Sequence, residues 1–327
     1  MTQPPLTSPL HIAHVEVPNR ILLAPLAGIG NWFVRLQARR YGAGMAVSEM
    51  VSSFALAHGN RRTLEEMLRV HPDEGVVSLQ LFGSDPEVMR TAARIAAGAG
   101  PQLLDLNLGC PVPKVVKTGA GAALLRDPDR ALAVARAAIE GSGLPVTVKL
   151  RSGLEPGDRS GLELARRLVA EAGVAAVTLH PRPARVRHRG EPDYAAVREL
   201  AASVDVPVIV SGGLGTAERA RRAYRDSGAD AVMIARGSLG NPWIFAELTG
   251  GDGEPGPEEI EAELRWILDR AEEHWGADRA ARNLRKFYPW YVERLGFAGP
   301  EADRFQRTES LDQVRDLLSG TPEPASL

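Results

Sequence analysis

Leu103-Leu104-Asp105-Leu106-Asn107-Leu108-Gly109-Cys110-Pro111 alternates apolar and polar positions and then breaks on a glycine and a proline. Leu104, Leu106 and Leu108 recur at the two-residue period of a strand. Glycine permits an irregular backbone, and proline, lacking an N–H, cannot continue a strand. The stretch therefore reads as a strand over 103–108 ending in a turn that carries Cys110, the chain's only cysteine. A lone free cysteine is often a small buried hydrophobe, yet a strand end is where parallel α/β proteins place their chemistry. This pattern alone leaves both readings of the thiol open.

Working outward, the same kind of run recurs at Ile21 to Pro25, Ala46 to Ser48, Val76 to Leu81, Pro145 to Leu150, Ala175 to His180, Val206 to Ser211 and Ala231 to Ile234. Helical patterns follow most of them: from Trp32 to Gly42 or Gly44, after the capping residues Ser84-Asp85-Pro86-Glu87, and over 128–140, 162–172 and 216–226. Eight strand-like runs, most followed by a helix, predict an α/β chain folded as a (β/α)8 TIM barrel. An open doubly wound sheet would gather its motifs at one crevice, whereas here they follow nearly every strand. The barrel is expected over 10–249, with 1–9 as a flexible tail. Gly250 to Pro257 reads as a turn-rich linker, and 258–320 as a small all-helical C-terminal domain with helices over 280–295 and 302–318 and a tail at 321–327.

With 44% hydrophobic and 24% charged residues, the 327-residue chain has the composition of a globular protein. A net charge of −2 carries no global basic signature of nucleic-acid binding, although a local patch can suffice, and no DNA partner is expected. One cysteine excludes an intrachain disulfide framework and fits a reducing compartment. No apolar run reaches membrane-spanning length, and the Pro-rich start lacks the regions of a signal peptide, so a cytoplasmic location is expected. Only Lys114, Lys117, Lys149 and Lys286 are lysine. Two of them fall at strand ends, where arginine could not replace a compact charge able to release a proton.

Ser211-Gly212-Gly213 and Ala235-Arg236-Gly237 follow the seventh and eighth runs, where barrels commonly bind phosphate. Gln80, Asn107, Lys149 with Arg151, and His180 with Arg182 end the third to sixth runs and point at the same mouth. Amide, ammonium and imidazole groups are the partners a flavin ring needs, and a lysine beside its pyrimidine edge would stabilise the reduced anion. Taken singly, His180 could be a satisfied core histidine and Lys149 a surface lysine. In the helical region Arg279, Arg282, Arg285 and Lys286 cluster, as either a solvated face or an RNA-contacting patch.

These stretches resemble the tRNA-dihydrouridine synthases, closest to their bacterial B-type branch. The matching segments are Ala24-Pro25-Leu26-Ala27-Gly28, Val47 to Met50, Leu79 to Gly83, Asp105 to Pro111 with Lys114-Val115, Val148 to Arg151, the two glycine motifs above, Asn241 to Phe245, and Arg285-Lys286 to Tyr291. The resemblance implies an enzyme that reduces uridine in tRNA to dihydrouridine with FMN, using NADPH or NADH as the electron donor. It makes Cys110 the general acid that protonates C5 of the uracil while C6 receives hydride. It assigns FMN to Pro25, Leu26, Ala27, Gln80, Lys149, His180, Ser211, Gly212, Gly213, Ala235, Arg236 and Gly237. Asn107, Lys114, Arg151, Arg182, Arg282, Arg285 and Lys286 are assigned to the substrate. No metal is expected, and the chain is expected to act as a monomer. A flavin barrel acting on a small pyrimidine or enone, and a non-catalytic RNA-binding module, are the competing readings.

Two stretches and two single residues depart from the family's pattern. His180-Pro181-Arg182-Pro183 stiffens the sixth strand's loop, and Val186 to Gly190 lacks an aromatic before its glycine. Ser211 stands where asparagine is usual, and Pro289 is expected to kink or restart its helix.

Overall fold

A computed structural model describes residues 3–251 and 253–319. Eight short strands rich in Val, Ile and Leu run in parallel: β1 (Ile21–Leu23), β2 (Met45–Val47), β3 (Val76–Phe82), β4 (Leu103–Leu108), β5 (Val146–Arg151), β6 (Ala176–His180), β7 (Val208–Ser211) and β8 (Ala231–Ile234). Each pairs with the next in chain order. β8 returns to pair with β1 through Val232↔Ile21, Met233↔Leu22 and Ile234↔Leu23, which closes the barrel. Closure leaves no sheet edge, so strands of three or four residues are stable parts of the ring.

The alternation seen in the sequence is the division between the two faces of the sheet. Register places Gln80 beside Asp105 and Asp105 beside Thr147, and one step higher Asn107 beside Lys149, with Arg151 beside His180. Below these rows the interior is apolar, built from Leu22, Met45, Leu103, Ala176, Ile209, Ala231 and Met233. An antiparallel hairpin, Leu10–Ile12 with Val15–Val17, adds Leu10, Ile12 and Val17 to that cluster. The barrel is thus packed with hydrocarbon at one end and carries its polar side chains toward the C-terminal ends of the strands, the functional face of such barrels.

The hairpin was not anticipated, although Leu10-His11-Ile12 and Val15-Glu16-Val17 each alternate apolar and polar residues. The expectation of a loose tail over 1–9 is corrected for its described residues. Gln3 Nε2 donates to the carbonyls of Tyr224 (3.0 Å) and Ala229 (2.7 Å), Tyr224 donates to Pro4 O, and Arg20 N donates to Leu6 O. The tail expected at 321–327 lies outside the described residues.

The chain divides into two compact units. The first holds residues up to Gly237 together with Ile244–Gly251, and the second holds Ser238–Trp243 with the residues from 253 onward. A barrel unit running unbroken to 249 is therefore corrected at Ser238–Trp243. Within the second unit Arg294 lies 6.0 Å over the Trp243 ring, which ties that segment to the helices. Those helices are Pro257–Trp275, Ala277–Leu284, Tyr288–Arg294, Pro300–Arg307 and Leu311–Ser319, around Leu264, Ile267, Leu268, Tyr288, Tyr291, Phe305 and Val314. The helix expected over 280–295 breaks at Arg285–Phe287, and Pro289 sits in the first turn of the next, where its missing N–H has no intrahelical partner to lose. The helix expected over 302–318 is likewise two. Thr308 is extended, and Ser310 Oγ accepts from Gln313 N to start the second.

In the first unit, the helix Trp32–Arg40 that follows β1 carries Arg35 inward, where it meets Glu74. Arg35 Nε and Nη2 donate to the two Glu74 carboxylate oxygens (2.6 and 3.1 Å), Nη1 to Gly30 O (3.1 Å) and Nη2 to Arg69 O (2.7 Å). This fully buried pair fastens the turn after Pro25-Leu26-Ala27 to the segment before β3. Burial pushes the Glu74 carboxyl up, while Arg35 pulls it back. Removing one partner strands the other charge, so Glu74→Ala should lower the unfolding free energy by about 3–5 kcal/mol, and Arg35→Met/Glu74→Leu by clearly less. Urea titrations of the three proteins check this ordering.

Candidate active site

β4 ends at Leu108, and the next turn lifts Cys110, which is partly exposed, above the strand ends. Asn107 makes that turn. Its Oδ1 accepts from Gly109 N (3.2 Å) and Cys110 N (2.9 Å), so the side chain caps the chain reversal. From the other side Arg151 Nε donates to Gly109 O (3.0 Å). Beneath the thiol, Ala122 N donates to Cys110 O (3.0 Å). Gly121, at φ 61°, lies so close that a Cβ there would stand 2.6 Å from Cys110 O, which accounts for the small-residue run after the cysteine.

Asn107 is itself held from within the barrel. Its Nδ2 donates to Gln80 Oε1 (2.9 Å), Gln80 Nε2 donates to Asp105 Oδ2 (2.6 Å), and Thr147 Oγ donates to Asp105 Oδ1 (2.5 Å). Gln80 N in turn donates to Ser48 Oγ (2.9 Å). Asp105 is 1% exposed and Gln80 0%. Burial pushes the Asp105 carboxyl up, and the Gln80 and Thr147 hydrogen bonds and the nearby Lys149 charge oppose that rise.

On the adjoining strands the cations gather. Burial, and then the Arg151 charge, bring Lys149 down to about 8, with Asp105 acting against them. Burial brings Arg151 down to about 10. Arg151 Nη1 donates to Pro183 O (3.3 Å) and Arg187 O (2.6 Å), so the proline-rich loop supplies acceptors that clamp the guanidinium. Arg182 Nε donates to Gly190 O (3.0 Å). Its Nη1 lies 3.4 Å from His180 Nε2, and because arginine only donates, this contact favours the tautomer with the proton on Nδ1. Burial, followed by Lys149, Arg151 and Arg182, holds His180 far below its ordinary value. His188, stacked on His180 at 5.7 Å, is lowered to about 4 by burial and then by Arg236. Both rings are therefore neutral at pH 7 in a strongly positive surround.

Beside them the backbone bends at Gly212 (φ 105°), where a Cβ would come within 2.6 Å of the His180 ring. Arg236 follows β8, exposed, in a single tight turn over Arg236–Ser238. Neutral imidazoles, a lysine, several guanidinium groups and a glycine cradle against a flat ring make a donor set that fits a phosphorylated planar cofactor of flavin type.

The expected site residues fall into three groups. Asn107, Cys110, Lys149, Arg151, His180 and Arg182 meet at the mouth, bounded by Gly212-Gly213 and by Ala235-Arg236-Gly237, while Pro25, Leu26 and Ala27 lead from β1. Gln80 and Ser211 also make hydrogen bonds within the barrel. The Gln80 amide is engaged inside the barrel by Asp105 and Asn107, and Ser211 Oγ donates to Met233 O (3.2 Å) within the wall. Lys114 is exposed on the short helix Pro113–Val116. Arg282, Arg285 and Lys286 belong to the helical unit. There Arg285 donates to Thr308 O (2.9 Å), a structural tie, while Lys286 lies 5.9 Å over Trp275 and Arg282 is exposed. Asp105, Thr147 and His188 were not singled out. A carboxylate set between two leucines in a buried strand was the signal for the first.

The sequence matches the family model described as "Dihydrouridine synthase (Dus)" over residues 22–317, and the chain belongs to that family. It is 35% identical over 318 residues to the tRNA-dihydrouridine synthase B of Vibrio cholerae, covering 95% of this chain and 98% of that protein. With the protein of the same description from Serratia marcescens it shares 37% over 307 residues, covering 91% and 90%. Among solved structures, morphinone reductase superposes with a TM-score of 0.55 at 19% identity, over 79% of this chain and 93% of that one, a likeness of fold alone.

The suppressed histidines make the fold acid-sensitive. An unfolded imidazole takes up a proton near its ordinary pKa of about 6.5. The folded His188 does so only near 4, and His180 lower still. Between those limits the unfolded chain binds more protons, so stability falls as pH drops below about 6.5. His180→Gln should flatten this acid limb relative to wild type in urea unfolding of flavin-free protein at pH 7, 6 and 5.

Proposed function

We propose that the chain is a tRNA-dihydrouridine synthase that binds FMN, takes its electrons from NADPH or NADH, and reduces the C5–C6 double bond of a uridine in tRNA. The observation that carries this reading is a single thiol on a turn fixed by Asn107 and Arg151, at a barrel mouth lined with cations, in a chain of the dihydrouridine synthase family. Lys149, His180, Gly212, Gly213, Arg236 and Gly237, with Pro25, Leu26, Ala27 and Ala235, would hold the FMN. When bound and reduced, the flavin supplies hydride chemistry at C6 of the uracil.

Cys110 would supply the other reactant, a proton, to C5, and the thiolate would recover its proton from water. Hydride and proton together add two hydrogens across one double bond, so atoms and charge balance. Asn107 and Arg151 fix the Gly109 and Cys110 backbone so that the thiol is aimed before substrate arrives. Nη2 of Arg151 has no acceptor among the described residues and is free to meet a uracil carbonyl. A uridine inside folded tRNA reaches such a mouth only when its base is turned out of the stack. Lys114 beside the mouth, and Arg282 and Lys286 of the helical unit, supply charge for the tRNA backbone, and the protein acts as a monomer.

The purified protein should be yellow and should form dihydrouridine in unmodified tRNA with NADPH. Cys110→Ala should keep its FMN spectrum and lose about 10²-fold or more of that activity. A protein that stays colourless when supplied with FMN, or a Cys110→Ala variant with full activity, refutes the proposal. Rapid reoxidation of the reduced enzyme by a free pyrimidine or an enone, with none by tRNA, would transfer it to a small substrate.

A further inference from the structure

The hydrogen bonds from Thr147 to Cys110 have a direction. At one end, Asp105 Oδ2 is a carboxylate oxygen that accepts from Gln80 Nε2 at 2.6 Å. At the other, the N–H groups of Gly109 and Cys110 can only donate, and they do so to Asn107 Oδ1. Between these ends lie two primary amides, each able to be turned over at little cost in shape. Only one orientation of the pair suits both ends. Gln80 presents its nitrogen to Asp105 and its oxygen to Asn107, and Asn107 presents its nitrogen to Gln80 and its oxygen to the cysteine turn.

Turning Gln80 over would set an amide oxygen against a carboxylate. It would also leave Asn107 to turn in its own place and offer an NH2 group to two backbone donors. Buried polar groups left facing one another in this way forfeit their hydrogen bonds with no water to replace them.

We propose that Asp105 is a positioning residue that sets the polarity of the Gln80–Asn107 relay and through it holds the Cys110 turn in its donating geometry. Its place in the core supports this. It sits in the middle of β4, flanked by Leu104 and Leu106, with Thr147 Oγ on its second oxygen and no solvent contact of consequence. A buried carboxylate that served packing alone would be better replaced by an apolar residue. The inference takes Cys110 as the acid proposed above, but its test does not depend on that chemistry.

The test changes the acceptor at one end of the link. Asp105→Leu removes the oxygen that takes Gln80 Nε2, so nothing holds the Gln80 amide to one face and Asn107 loses its ordered partner. Asp105→Asn keeps the direction, because the amide oxygen at 105 accepts from Gln80 while its NH2 group meets Thr147 Oγ, which has Leu104 O as a second acceptor. Cys110 is the sole cysteine, so iodoacetamide alkylation of FMN-free protein at pH 7.5 to 8, with no tRNA present, reads its turn directly.

Asp105→Leu should raise the alkylation rate about 5- to 10-fold, the loss of roughly one hydrogen bond in the turn. Asp105→Asn should stay within about 2-fold of wild type. A residue important only for packing would leave Asp105→Leu at the wild-type rate, and that result overturns the proposal. An Asp105→Asn rate as fast as that of Asp105→Leu overturns it too. Should Asp105→Leu fail to fold, a soluble Asp105→Asn variant with the wild-type rate supports the proposal, and an insoluble or fast-reacting one refutes it. None of these outcomes touches the tRNA assay, so failure here and failure of the proposed activity are told apart.

Discussion

A carboxylate inside a closed barrel has to be fully hydrogen-bonded, and the upper half of this molecule is arranged around that requirement. Asp105 occupies an inward position of β4, where its neighbours across the sheet are Gln80 on one side and Thr147 on the other. Both donate to it, and the Gln80 amide passes the constraint to Asn107 and then to the backbone of Cys110. The strand register and the thiol's position are thus parts of one network. Sliding β3 by one residue against β4 would turn Gln80 out of the barrel and break every later link.

The same interior sets the electrostatics of the mouth. Lys149, Arg151, Arg182 and Arg236 surround His180 and His188, and burial together with these charges keeps the imidazoles neutral and brings Lys149 down to about 8. Such an assembly is costly to a protein with nothing bound and is relieved by an anionic ligand. The flavin phosphate proposed to lie at Gly212, Gly213 and Arg236 would supply that compensation. Apolar packing from Leu22, Met45, Ile209 and the N-terminal hairpin anchors the other end, so the polar layer rests on a conventional core.

Much of the fold was legible in the residues. Period-two runs and the glycine or proline stops after them marked the eight strands to within a residue or two, because a strand buried on both faces needs Val, Ile and Leu and its exit needs a turn former. The hairpin at Leu10–Val17 was missed because each of its strands is only three residues long; the restart at Tyr288 was signalled by Pro289, whereas the break at Thr308–Ser310 was missed because the apolar spacing continues across it. Cys110, Lys149, His180 and Arg236 were legible as strand-end groups. The hydrogen bonds that Ser211, Arg285 and Gln80 make within the protein were not legible, since a polar side chain at a strand end or on a helix can serve the wall as readily as a ligand.

By itself the amino-acid sequence determined the barrel, the family and the list of chemical groups at the mouth, because periodicity, turn residues and motifs are local properties of the chain. Only the tertiary structure decided what each group does there. Gln80 and Thr147 lie 25 and 42 residues from Asp105 along the chain, and no local signal says that one carboxylate will accept from both. Barrel closure and strand register bring them together, and the geometry of donors and acceptors then dictates which way each amide faces and where the thiol stands.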